Sequence, residues 1–204
     1  IAWSGIALAR NNYTDWVGAS QAVGSSLDLR GRAPSPAGWY REASIQSIFW
    51  NLNNQVGFKP IHDALTSTSF KNGVAVTSIH PFSVAFNAAA PGSASALNTL
   101  LSDQSIAVPN DPFAANETNN GGVAAALPMY RTGNVGGGIT QACVTNEADA
   151  AGDGNKLGSY AYLRFNAPAQ RSYAIGLAVA NGTPDTDPDF LVYQGQRVGQ
   201  GLST

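Results

Sequence analysis

Between Gly38 and Ser67 the chain reads GWYREASIQSIFWNLNNQVGFKPIHDALTS, and this run constrains the fold more than any other. Ile45, Ile48, Phe49, Leu52 and Val56 recur at i, i+3, i+4, i+7 and i+11. Those positions share one face only when the backbone turns every ~3.6 residues, as an α-helix does. Arg41, Glu42, Ser44, Gln46, Asn51, Asn53 and Asn54 fall outside that face, and Gly57 is placed to end the helix. The spacing therefore predicts a core helix over 42–56.

The same reasoning predicts helices near 1–10, 58–66, 77–88 and 93–103. In the last, Ala94, Leu97, Leu100 and Leu101 keep helical spacing, with Ser93 or Ser95 available as N-cap. Asp15 to Ala37 is rich in Gly, Ser and Pro and reads as a long loop. Past about Leu127 the period changes. Tyr160, Tyr162, Arg164 and Asn166 alternate with Ala161, Leu163 and Phe165, and Ser172, Ala174 and Gly176 alternate with Tyr173, Ile175, Leu177 and Val179. A third run, Phe190 to Tyr193, follows. Short alternating runs parted by turn residues predict strands of a β-sandwich. The expected fold is α+β: a mainly helical part over 1–115, a linker over 116–126, and an antiparallel β-sandwich over 127–204.

Charged residues make up 12% of the chain, about half the ~25% usual in soluble domains. Gly, Asn, Ser, Thr and Ala carry the polar surface instead, a style common among exported bacterial proteins, so a secreted or cell-surface location is expected. A net charge of −2 with scattered Lys and Arg forms no basic face, which argues against nucleic-acid binding. No apolar run is long enough for a membrane span, and no signal-peptide pattern is present. The chain opens on Ile1, inside a helical pattern, and is expected to be a fragment or processed piece of a longer protein. Cys143 stands alone, so no disulfide closes within the chain. Two readings of it stand: a small buried residue, or the partner of a cysteine upstream.

Several words in the sequence carry a resemblance. An acidic residue followed by Ser44-Ile45-Gln46-x-Ile48-x-Trp50-x-Leu52, then Gly57-Phe58-x-Pro60-Ile61, is similar to a segment of secreted bacterial zinc metallopeptidases of the gluzincin class, the relatives of thermolysin and fungalysin. The opening IAWSGIAL resembles the helix after that group's third zinc-ligand glutamate. Asn12-Tyr13-Thr14-Asp15, Gly38-Trp39-Tyr40 and Asn116-Glu117-Thr118-Asn119 sit where the group has similar words. Further on, Tyr162-Leu163-Arg164-Phe165, Ser172-Tyr173-x-Ile175 and Asp187 to Tyr193 resemble the bacterial pre-peptidase C-terminal domain, a β-sandwich appended to secreted proteases. The resemblance implies that 1–115 is the C-terminal half of a catalytic domain and 127–204 an incomplete copy of that sandwich.

The zinc motif of such enzymes, His-Glu-x-x-His, is missing. It sets two imidazoles on one helical face with a glutamate beside them as general base. The histidines here are His62 and His80, neither in a Glu-x-x-His arrangement, so the chain offers no zinc ligands of that pattern. The resemblance implies that ligands and base lie upstream of Ile1, and zinc is expected only in a fuller protein.

Within the chain the candidate catalytic residues are Tyr40, Arg41 and His62. A phenol, a guanidinium or an imidazole suits stabilisation of a developing oxyanion. The bland readings are a packed aromatic at Tyr40 and a hydrogen-bonded histidine at His62. Asp185, Asp187 and Asp189 alternate and suit a hard cation such as calcium. The same Asp-Pro pairs also start tight turns. Asp149, Asp153 and Asn155 form a weaker set of the same kind.

Three functions fit these residues. One is the C-terminal portion of a secreted zinc-metallopeptidase-like protein, acting on a protein or peptide substrate alongside an upstream fragment of its own precursor. Another is a noncatalytic extracellular binding module. The third is a structural subunit that self-assembles through an open sheet edge.

Overall fold

The computed structural model describes residues 12–15, 25–28, 36–73, 78–123, 126–142, 161–179 and 192, with the first two spans as backbone. Strands β1 (Asn12–Asp15) and β2 (Ser25–Asp28) pair antiparallel, Asn12 opposite Asp28. Then come helices α1 (Glu42–Val56), α2 (Phe58–Thr66), α3 (Thr68–Lys71) and α4 (His80–Ala89). A 3₁₀ turn at Pro91–Ser93 leads into α5 (Ala94–Asp103). Two short strands, β3 (Tyr130–Thr132) and β4 (Tyr162–Arg164), complete the described elements.

Each helix boundary has a local cause. Gly57 ends α1 with φ 77° and ψ 175°, a backbone conformation open essentially to glycine alone. The turn it makes lets α2 begin one residue later. Ser67 caps α3 by accepting from the Phe70 N–H at 3.2 Å while donating to the Ala64 carbonyl at 2.7 Å. Pro81 stands in the first turn of α4, where its missing N–H costs no helical bond.

The helices close around one apolar core. Ile48 and Leu52 of α1, Ile61 and Ala64 of α2, Phe82 and Phe86 of α4, and Leu97 and Leu101 of α5 are all buried in it. Phe82 sits at its centre, with ring centroids 4.7 Å from Phe49, 5.7 Å from Phe86 and 6.4 Å from Phe70. This aromatic contact joins α1, α3 and α4. Ile106, Ala114 and Met129 from the segments after α5 pack onto the same core.

One helix is shielded on two sides. Gln46 and Trp50 of α1 lie a turn apart, opposite the face that carries Ile48 and Leu52. Trp50, Ala43 and Ser47 on that reverse side are also buried.

The expected antiparallel β-sandwich is not what forms. Among the described residues of 127–204, β3 and β4 make a single pair, and it is parallel, with Tyr130 opposite Tyr162 and Thr132 opposite Arg164. The Ser172–Val179 run forms no strand. Its alternate residues Ile175, Leu177 and Val179 are exposed, and the Tyr173 hydroxyl turns back to donate to the Ala169 carbonyl at 2.7 Å. Alternation fixes which side chains would share a face. It does not supply the neighbouring strand that satisfies the backbone. The described fold is mainly helical.

Candidate functional site

Among the described residues the most elaborate polar arrangement forms where the entrance to α1 meets the segment after α5. Glu117 lies at its centre, with 1% of its side chain exposed, against the wholly buried His80. His80 Nε2 stands 3.1 Å from Glu117 Oε2, which also accepts from the Ala107 N–H at 3.0 Å. Oε1 accepts from the N–H groups of Thr118 at 2.9 Å and Asn119 at 2.8 Å. Four donors thus meet a carboxylate with about four lone-pair sites.

The acidity of Glu117 follows from this setting. Burial, the largest single influence, pushes its carboxyl up. The His80 hydrogen bond, the N–H groups of Asn119 and Ala107, and the His80 charge together outweigh burial and hold it below the usual value. Glu117 is therefore ionised at neutral pH and only accepts, which places a proton on His80 Nε2. The other ring nitrogen, Nδ1, is 3.2 Å from Ser78 Oγ, and the His80 N–H donates to that same oxygen at 3.3 Å.

Asn119 ties this centre to the start of α1. Its carbonyl accepts from Trp39 Nε1 at 2.9 Å, and its side-chain Oδ1 accepts from the Tyr40 hydroxyl at 3.4 Å and the Gly121 N–H at 3.1 Å. Its Nδ2 donates to the carbonyls of Ala37 and Ser105, each at 2.9 Å. Trp39 and Tyr40 meet edge-to-face at 5.4 Å. Gly38 is required by this closeness: a Cβ there would fall 2.5 Å from the Tyr40 ring and 2.9 Å from Asn119 Nδ2. Its N–H donates to Ser44 Oγ at 3.1 Å.

Of the residues singled out in the sequence, Tyr40 and Arg41 are buried at this knot, 3% and 6% exposed. Burial raises the Tyr40 pKa most. The Arg41 charge and the Asn119 hydrogen bond oppose that, Glu117 adds to it, and the net shift is upward, so the phenol stays protonated. His62 lies in a different setting, on the outer face of α2 with 54% of its side chain exposed. There Nδ1 is 3.7 Å from Asp63 Oδ1, Asp63 also takes an ion pair from Lys59, and the ring leans on Phe58 at 5.6 Å. The structure brings Tyr40 and Arg41 together and leaves His62 on the solvent side of its helix. Asp185, Asp187 and Asp189 lie outside the described residues, as do Cys143, Asp149, Asp153 and Asn155.

Among the described residues no three His, Cys, Asp or Glu side chains gather as metal ligands. His80 and Glu117 pair with each other, and both Glu117 oxygens are already engaged. What this arrangement does chemically is hold. A buried carboxylate with all its lone pairs engaged fixes backbone and imidazole in place and presents nothing to solvent. The sequence signal for it was Asn116-Glu117-Thr118-Asn119, an isolated acid among amides in a chain poor in charge.

Compared with known protein families, known proteins and solved structures, the chain shows no match.

Proposed function

We propose that this chain is the C-terminal portion of a secreted zinc-metallopeptidase-like protein, with the His-Glu-x-x-His motif upstream of Ile1. The observation that carries this reading is the bonding of Trp39 and Tyr40 to Asn119. Gly38-Trp39-Tyr40 and Asn116 to Asn119 are separate words of the resemblance, about eighty residues apart. Their direct contact supports treating them as parts of one built feature.

In this reading the helices from α1 to α5 are the framework against which an upstream catalytic half packs. Zinc, held by upstream residues, would supply activation of water for attack on a peptide carbonyl. The role of this chain's own residues is support: Glu117 and Asn119 fix the entrance to α1, and α1 fixes what lies on its reverse face. Asp185, Asp187 and Asp189 remain the proposed calcium ligands, which a calcium-dependent shift in melting temperature tests.

Intact-mass spectrometry of the natural product, with metal analysis and a peptidase assay on the same sample, decides the matter. A species carrying upstream sequence, stoichiometric zinc and chelator-sensitive peptide cleavage is the expected result. A clean mass for 1–204 with neither zinc nor activity sinks the reading.

One observation favours a second reading, an extracellular interaction or self-assembling module. Leu163, Phe165, Ile175, Leu177 and Val179 are all exposed within a short stretch of chain. Light scattering across a concentration series tests the self-assembling form of this reading, which alone requires concentration-dependent oligomers.

A further inference from the structure

The strand pair builds a feature separate from the Glu117 knot. Thr132 and Arg164 are register partners on β3 and β4, and the Gly133 N–H donates to the Arg164 carbonyl at 2.8 Å. The Arg164 guanidinium is held twice. Its Cζ lies 4.1 Å from the centre of the Phe113 ring, and its Nε donates to Thr132 Oγ1 at 3.3 Å. Phe113 is braced edge-on by Tyr130 at 5.0 Å, and Tyr130 stacks on Tyr162 at 5.3 Å.

An arginine seated on a ring and tethered through Nε has given up much of its rotamer freedom before a ligand arrives. Its two terminal nitrogens are not engaged by any hydrogen bond or ion pair among the described residues. The guanidinium borders an open cavity of about 280 Å³ lined by Thr132, Arg164, Phe165 and Asn166.

We propose that this notch binds a carboxylate, that of a peptide C-terminus whose last side chain is apolar. Three features select that ligand. Among the described residues Arg164 is the one charged side chain lining the cavity, so a single negative charge matches it better than a phosphate dianion does. The planar fork of a guanidinium pairs with a carboxylate through two parallel N–H···O bonds. Phe165, exposed beside it, offers an apolar wall, and the Asn166 amide can both donate to and accept from a peptide bond. The volume falls just below the ~300–1,000 Å³ typical of ligand pockets, which suits one or two residues. The proposal requires no zinc and stands apart from the peptidase reading.

The test titrates the full chain with dansyl-Ala-Phe as free acid and as C-terminal amide, read by fluorescence anisotropy. The free acid should bind about tenfold or more tightly than the amide, the size of a charge-assisted hydrogen bond. Arg164→Gln should remove that difference. Arg164→Lys, which keeps the charge and loses the fork, should retain only part of it. The Arg164 side chain is exposed, so both variants should melt within a few degrees of the parent, and that measurement accompanies the titration. Equal binding of acid and amide overturns the proposal, as does absence of binding at millimolar probe or an acid preference that survives Arg164→Gln. Displacement of the probe by inorganic phosphate more readily than by acetate overturns the carboxylate assignment.

Discussion

Glu117 Oε2 lies 3.1 Å from His80 Nε2 at a point where both side chains are shut away from solvent. A buried pair of this kind adds modest net stability, while breaking it by removing one partner is costly. Glu117→Gln is nearly isosteric, but its amide nitrogen would replace one oxygen and face a donor. The expected loss is about 2–4 kcal/mol, measured as a lower urea midpoint with unchanged slope.

The same carboxylate gives the protein an acid limit. Its folded pKa is lowered by His80 and by the backbone N–H groups, so folding is favoured by its ionised form. That contribution is complete above the unfolded value of about 4.3 and disappears as pH falls through the lower folded value. Melting temperature should therefore drop across this acidic window, and Glu117→Gln should flatten that part of the profile. An unchanged acid slope in the variant would assign the effect elsewhere.

Two glycines are irreplaceable for different reasons. At Gly38 a Cβ collides with Tyr40 and Asn119, so Gly38→Ala should cost about 1–3 kcal/mol through overpacking and loosen the knot. At Gly57 a Cβ meets nothing within 4 Å, and the cost of Gly57→Ala, again about 1–3 kcal/mol, is backbone strain alone. The Trp39 indole Nε1–H NMR resonance distinguishes them: Gly38→Ala should shift it, since that N–H is bonded at the knot, and Gly57→Ala should not.

Trp50 is buried on the reverse side of α1, yet its indole N–H finds no hydrogen-bond partner among the described residues. Trp50→Phe removes the orphan donor and keeps most of the ring. It should leave stability within about 1 kcal/mol of the parent, whereas Trp50→Ala should cost about 3–5 kcal/mol. A large loss in the phenylalanine variant would show that the N–H is satisfied in solution.

How far the sequence could be read depended on distance along the chain. The helix over 42–56, its stop at Gly57, and the helix over 58–66 follow from neighbours within a few turns, and the structure has them at those residues. The helix expected over 77–88 runs from His80 to Ala89, its start set by Pro81. Helix α3 is one turn long, too short for any period, and depends on the Ser67 cap. The expected helix over 1–10 lies outside the described residues. Alternation over 160–179 suggested strands but carried no information about what they would pair with, and the described pair is short and parallel. Glu117 illustrates the same limit: one of its bonds reaches His80, thirty-seven residues away, and no local pattern announces that. In the sequence Arg164 is an ordinary alternating position. Its seat on Phe113 depends on a loop that no periodicity describes.

The Trp39–Asn119 bond spans eighty residues, and that separation has a consequence in time. Helix α2 packs chiefly on α4 and α1 on α5, so the helical core can close as soon as α5 has been made. The knot must wait until Asn119 is present to receive Trp39 and Tyr40. On the ribosome, a nascent chain that ends before Asn119 has its helices but not the clasp that finishes them. The entrance to α1 is thus the first part of the described helical region to be made and among the last to be fastened.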